Sequence, residues 1–202
     1  MNSAIEHLRP WRVPLALSAL LLALQASGLK NALEYSREAV HQGQLWRLLT
    51  CNLVHLGWVH LVRDLAGLGL IWWLVSRDVS ERSALWVLAI SALSVGVGLL
   101  LFSPGIEWYV GISGALFGLY TAGALRICKE RRLPGAALLL GMVGILAWSL
   151  YAGALPGETT GLGGTVVPQA HLYGAIGGAL TMAALEVLDR ARSVGPSADS
   201  RT

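Results

Sequence analysis

Six apolar stretches dominate this chain, and each is close to the roughly 20 residues that a helix needs to cross a bilayer. They run at about 13–29, 56–76, 83–102, 113–128, 134–153 and 168–188. The connections between them are too short to hold a second, soluble core. Composition agrees: 54% of the 202 residues are hydrophobic and 13% charged, where soluble domains carry about a quarter charged residues. The expected fold class is therefore an all-α membrane protein, a bundle of six transmembrane helices. The bundle is expected to form one domain over residues 1–192, followed by a polar, disordered cytoplasmic tail at 193–202. A rival reading of the first stretch is a signal peptide, since it follows Arg9 and Arg12 and ends in "LQASG". Its apolar run is long enough to span, and retaining it gives an even helix count.

The cations supply an orientation. Lys and Arg cluster at Arg9 and Arg12, at Arg77 and Arg82, at Arg126, Lys129, Arg131 and Arg132, and at Arg190 and Arg192. Segments 103–112 and 154–167 contain none. The positive-inside rule then predicts cytoplasmic termini and outward-facing uncharged loops. Lys30, Arg37 and Arg47 in the first outer loop are a mild exception, offset by Glu34 and Glu38. The pI near 9.1 is topological bias on this reading, and a nucleic-acid partner is not indicated. Cys51 and Cys128 are expected at opposite faces, too far apart to bridge.

Ionisable or hydrogen-bonding side chains inside a bilayer are costly, so each is a candidate for function. His55, His60 and Asp64 fall on the second stretch, Ser113 on the fourth and His171 on the sixth. The second, fourth and sixth helices all start at the outer face, so these five residues converge at one depth. Gly114, Gly118 and Ala122 form a small-residue stripe on the fourth helix, and Ala170, Gly174 and Gly178 form another on the sixth. Such stripes let membrane helices pack backbone to backbone. Packing these two faces brings the Ser113 hydroxyl within reach of the His171 imidazole. A serine beside a positioned histidine is an activated nucleophile, with the imidazole acting as general base and then general acid. Taken singly, each feature has a structural explanation: serines glue membrane helices, and glycine stripes pack them. No third member is evident beside His171, so the arrangement is a dyad.

Three ordered motifs, "HLGWVHLVRD" (55–64), "GISG" (111–114) and "AHLYGAIGG" (170–178), together with "GQLWRLLTCNLVHLGWVHL" (43–61), resemble the rhomboid family of intramembrane serine proteases. The resemblance implies a rhomboid-like bundle with Ser113 as nucleophile and His171 as general base. It also implies framing of the serine by Gly111 and Gly114, and close packing at Gly174 and Gly178. His55 is implied to stabilise the oxyanion together with the Ser113 backbone amide, His60 to be structural, and Trp46 and Arg47 to form a structural loop motif. Where the family usually has asparagine as an oxyanion donor, this chain has Asp64. An ionised carboxylate has no proton to donate, whereas a protonated one does, and Asp64 is also spaced to pair with His60.

The motifs look most like those of rhombosortases. That resemblance implies a bacterial inner-membrane enzyme; no cofactor is expected, and no metal, because His55 and His60 are five apart and lack a convenient third ligand. The implied substrate is a single-pass transmembrane protein with a glycine-containing C-terminal sorting tail (the GlyGly-CTERM type), cut near the outer face in contact with membrane lipid. The outer loop "ALPGETTGLGGTVVPQ" (154–169) is expected to be a mobile cap. The competing readings are a rhomboid pseudoprotease that binds transmembrane clients uncut and a small transporter. Transporters place polar residues at the midplane of repeated halves, a pattern not seen here.

Overall fold

The computed structural model describes residues 11–153, 161 and 163–194. Arg9, most of the expected cap (154–160 and 162) and the expected tail from residue 195 lie outside the described residues. All six apolar stretches form helices: α1 (Arg12–Ser27), α5 (Trp58–Val75), α6 (Glu81–Phe102), α7 (Ser113–Glu130), α8 (Arg132–Ala152) and α9 (Pro168–Val194). Four of them are long and apolar enough to cross a membrane: α5, α6, α8 and Pro168–Arg192 of α9. The helix α1 is apolar but has 16 residues. The helix α7 is interrupted by Ser113, Gly114, Gly118, Thr121 and Gly123 and ends in cations, which lowers its apolar character. It is nevertheless the most enclosed helix, with ten buried residues from Gly114 to Ile127.

The stretch expected to be a plain loop, residues 30–55, is instead structured. It holds α2 (Lys30–Leu33), α3 (Arg37–His41), α4 (Arg47–Thr50) and a 3-10 turn over Cys51–Leu53. Strand β1 (Tyr35–Ser36) pairs antiparallel with β2 (Trp108–Tyr109), with Tyr35 opposite Tyr109. Two arginines supply the bonds that such a short segment cannot make for itself. Arg47 donates to the carbonyls of Asn31 (3.0 Å) and Glu34 (2.7 Å) and to Gln44 Oε1 (2.8 Å). Arg37 donates to the carbonyls of Leu99 (2.6 Å), Leu100 (3.0 Å), Ser103 (2.7 Å) and Ile106 (3.2 Å), satisfying the open C-terminal end of α6.

Close approaches give the helix directions. A Cβ built on Gly114 would come within 2.8 Å of the Ala170 carbonyl oxygen, and one on Gly118 within 2.6 Å of the Gly174 carbonyl oxygen. A Cβ on Gly174 would strike the Gly114 carbonyl, and one on Gly178 the Gly118 carbonyl. Contacts that advance together along both chains mean that α7 and α9 run parallel. Asp64 meets Ile112 and Val75 lies against Gly123, so α5 is parallel to them too. Ser94 Oγ donates to the Tyr173 carbonyl at 2.8 Å, while Ser91 packs against Gly118 and Gly177, so α6 runs the other way. The starts of α5, α7 and α9 are thereby gathered at one end. Their basic ends meet at the other, where Arg131 pairs with Asp78 and Lys129 with Glu186.

Candidate active site

Ser113 is the first residue of α7. The N–H groups of a helix's first turn have no acceptor within the helix, so the backbone around Ser113 presents donors to whatever lies in front of it. Gly111 shapes this entry. Its φ of +120° is strained for any residue with a side chain, and a Cβ there would lie 2.7 Å from His60 Cε1. Its N–H donates to the Cys51 carbonyl at 3.0 Å and its carbonyl accepts from the Tyr109 hydroxyl at 2.9 Å. Burial, with Cys51 and Asp64 nearby, pushes the Tyr109 phenol above its ordinary range, so it stays a donor.

Ser113 Oγ lies 3.0 Å from His171 Nε2. His171 is 4% exposed, and its ring stacks on Phe117 with centroids 4.2 Å apart and planes 3° from parallel. Its other nitrogen, Nδ1, is buried without a hydrogen-bond partner among the described residues. The ring is held by stacking and by the packing of α7 on α9, with no carboxylate behind it among the described residues. Phe117 is one helical turn beyond Ser113, and that i, i+4 spacing was the available signal for a residue that sequence reasoning missed.

A cavity of about 430 Å³ opens over this pair, lined by Ser113, His171, Phe117, His60 and Asp64, with Thr165–Val167 on the far side. His55 is placed differently from the second-helix position expected for it, while His60 lies on α5 as expected. His55 is 1% exposed and precedes α5 in a segment that leaves Val54 extended, so it sits behind the cavity and not on the helix. His60 is the histidine on the cavity wall.

Asp64, 7% exposed, joins them. Its Oδ2 lies 3.1 Å from His55 Nε2 and 3.5 Å from His60 Nε2, and accepts the Ile112 N–H at 3.2 Å. His60 Nδ1 accepts the Leu56 N–H at 3.4 Å, which leaves its proton on Nε2, pointing at Asp64. Two hydrogen bonds therefore meet at one carboxyl oxygen, with the His60 ring at the edge of reach. The expected pairing of Asp64 with His60 is present, then, with His55 and the Ser113 loop added to it.

Comparison with known proteins bears on this arrangement. A profile of the Rhomboid domain matches residues 42–186. YdcA of Bacillus subtilis, a candidate rhomboid protease, is 27% identical over 141 residues, covering 70% of this chain and 67% of its own. Two Arabidopsis thaliana proteins also align. RHOMBOID-like protein 2 is 34% identical over 129 residues, 62% of this chain. RHOMBOID-like protein 5 is 28% identical over 141 residues, 68% of this chain. The chain spans 40% and 45% of the lengths of these plant proteins.

Proposed function

This chain belongs to the rhomboid family, and we propose that it is an intramembrane serine endopeptidase working through a Ser113–His171 dyad. The observation that carries the reading is the 3.0 Å contact between Ser113 Oγ and His171 Nε2 at the floor of a cavity. With the ring proton on Nδ1, Nε2 takes the Ser113 proton as Oγ attacks a peptide carbonyl. The developing oxyanion meets the Ser113 N–H. The second donor is His60 Nε2–H, which Asp64 holds only loosely at 3.5 Å. The His171 imidazolium then protonates the leaving amine, and water repeats the sequence on the acyl-enzyme. His55 and Asp64 position His60, and Gly111 and Gly114 keep the approach open.

Around this chemistry we place six membrane-crossing helices, with α1 and α7 completing the four longer spans. The active site lies near the outer face and both termini in the cytoplasm of a bacterial inner membrane; the basic end of the bundle supports that orientation. The substrate is a single-pass membrane protein, and the motif resemblance favours a rhombosortase acting on a glycine-containing C-terminal sorting tail. Residues 161 and 163–167 are the described part of a cap: Thr165–Val167 line the cavity, and a Cβ on Gly164 would come within 2.9 Å of Leu56 Cδ1.

One observation favours a second reading, a rhomboid pseudoprotease: the Asp64 carboxylate faces His60 Nε2, the donor assigned to the oxyanion, at 3.5 Å. Fluorophosphonate labelling of the purified protein separates the two. Labelling that disappears in both Ser113→Ala and His171→Ala supports the protease. A wild-type protein that does not label, and that still binds a transmembrane client equally well as Ser113→Ala, supports the pseudoprotease.

A further inference from the structure

Away from the active site, a second cavity of about 470 Å³ lies at the basic end of the bundle, between the start of α6 and the end of α9. Its two ends differ in chemistry. Arg82 on α6 and Arg192 and Asp189 on α9 line the outer part, and Trp86, Ile90 and Leu188 line the part deeper in the bundle. From Arg82 to Ile90 is eight residues of helix, about 12 Å of apolar wall below a cationic rim. The apolar side chains are not covered by the protein: Trp86 is 53% exposed, Leu188 51% and Ile90 39%.

The cations at this end are not equivalent. Arg131 is held by both oxygens of Asp78 at 2.8 and 2.9 Å, Arg126 lies 3.1 Å from Glu130, and Lys129 pairs with Glu186. Arg82 has no hydrogen bond or ion pair among the described residues. Arg192 reaches Asp189 only at 3.7 Å, with both side chains more than two-thirds exposed. The two arginines outnumber the one carboxylate on the wall, and Arg82 sits in the first turn of α6, where the helix end adds partial positive charge. A cationic rim above an exposed apolar groove, on a membrane-embedded bundle, complements an amphiphile with an anionic head.

We propose that this cavity binds one anionic phospholipid, with its phosphate between Arg82 and Arg192 and an acyl chain along Trp86, Ile90 and Leu188. The site stands independently of the protease chemistry. A phosphatidylcholine, whose choline cancels its phosphate charge, is disfavoured relative to phosphatidylglycerol.

Native mass spectrometry of the purified full chain from mixed micelles tests this, using phosphatidylglycerol and phosphatidylcholine of identical chains. One phosphatidylglycerol per chain is expected to be retained in preference to phosphatidylcholine. Each of Arg82→Gln and Arg192→Gln should weaken retention roughly fivefold, and the double variant about 25-fold. Arg77→Gln, on the same end but outside the cavity, should change nothing; circular dichroism checks that all variants keep their helices. Equal retention of the two lipids, an unaffected double variant, or an Arg77→Gln effect as large as that of Arg82→Gln would each overturn the proposal. So would displacement of the lipid by an equal concentration of inorganic phosphate, which would make this a site for free anions.

Discussion

Replacing Asp64 by asparagine should make this protein faster and less stable at once. Asparagine keeps one side-chain oxygen, which can stay where Asp64 Oδ2 now accepts from His55 and Ile112. The other oxygen becomes an amide donor on the cavity wall, beside the position where negative charge develops. Hydrogen bonds to a charged acceptor contribute about 1.5–3 kcal/mol and neutral ones about 0.5–1.5, so each of the two contacts loses about 1 kcal/mol. A stability loss of about 2 kcal/mol follows. Against that, one oxyanion donor is worth about 10²–10³ in rate elsewhere. Because the new amide must share its orientation with the clamp, a gain of about 10- to 100-fold is expected here. The rate constant for fluorophosphonate labelling measures this without knowledge of the natural substrate, since its phosphoryl oxygen uses the same donors. Thermal unfolding in the same detergent measures the stability. A slower Asp64→Asn protein of unchanged fold would refute the reasoning, because it would mean that the carboxylate itself is needed for turnover. Unchanged stability would mean that Oδ2 does not carry the charge assigned to it.

Three further outcomes follow from the packing. Gly174→Ala drives a methyl into the Gly114 carbonyl, so it should cost about 1–3 kcal/mol in thermal unfolding and abolish fluorophosphonate labelling at temperatures where the fold survives. Arg37→Ala strands four carbonyls at and just beyond the end of α6 and should lower stability by about 3 kcal/mol or more in denaturant titrations. Cys51 is fully buried and its thiol is pushed by that burial from 9.0 up to about 12. Maleimide should therefore label only Cys128 in the folded protein. Since unfolded Cys51 ionises first, its contribution to stability is complete below pH 9.0 and is lost as pH rises toward about 12, visible as a falling unfolding temperature.

The parts of this fold legible in the sequence are those governed by helical periodicity. Gly114 and Gly118 face Ala170, Gly174 and Gly178 because small residues at every fourth position leave one groove along a helix, and that register alone carries Ser113 to His171. The count of membrane-crossing helices was less legible, since α7 buys its close packing with residues that lower its hydropathy. Residues 30–55 escaped because their order depends on Arg37 and Arg47 reaching carbonyls at most 69 positions away, which no local pattern encodes. The position of His55 was illegible for a related reason. Helical spacing places His60 and Asp64 on one face, but His55 lies before the helix, where the chain is extended and spacing says nothing about direction.

The backbone contact between α7 and α9 has a consequence for how this protein can vary. In most proteins the distance between two reacting groups depends on layers of side chains, each of which can adjust when a neighbour changes. Here, at Gly114, Gly118, Gly174 and Gly178, an added Cβ would run into the carbonyl oxygens of the facing helix, and little room is left to adjust. The backbone separation beneath Ser113 and His171 is set by the close approach of the two helices. Drift in sequence elsewhere in the bundle can reshape the cavity, its rim and its lipid-facing surface without being felt by that distance, while the glycines on this seam have no tolerated neighbours in sequence space.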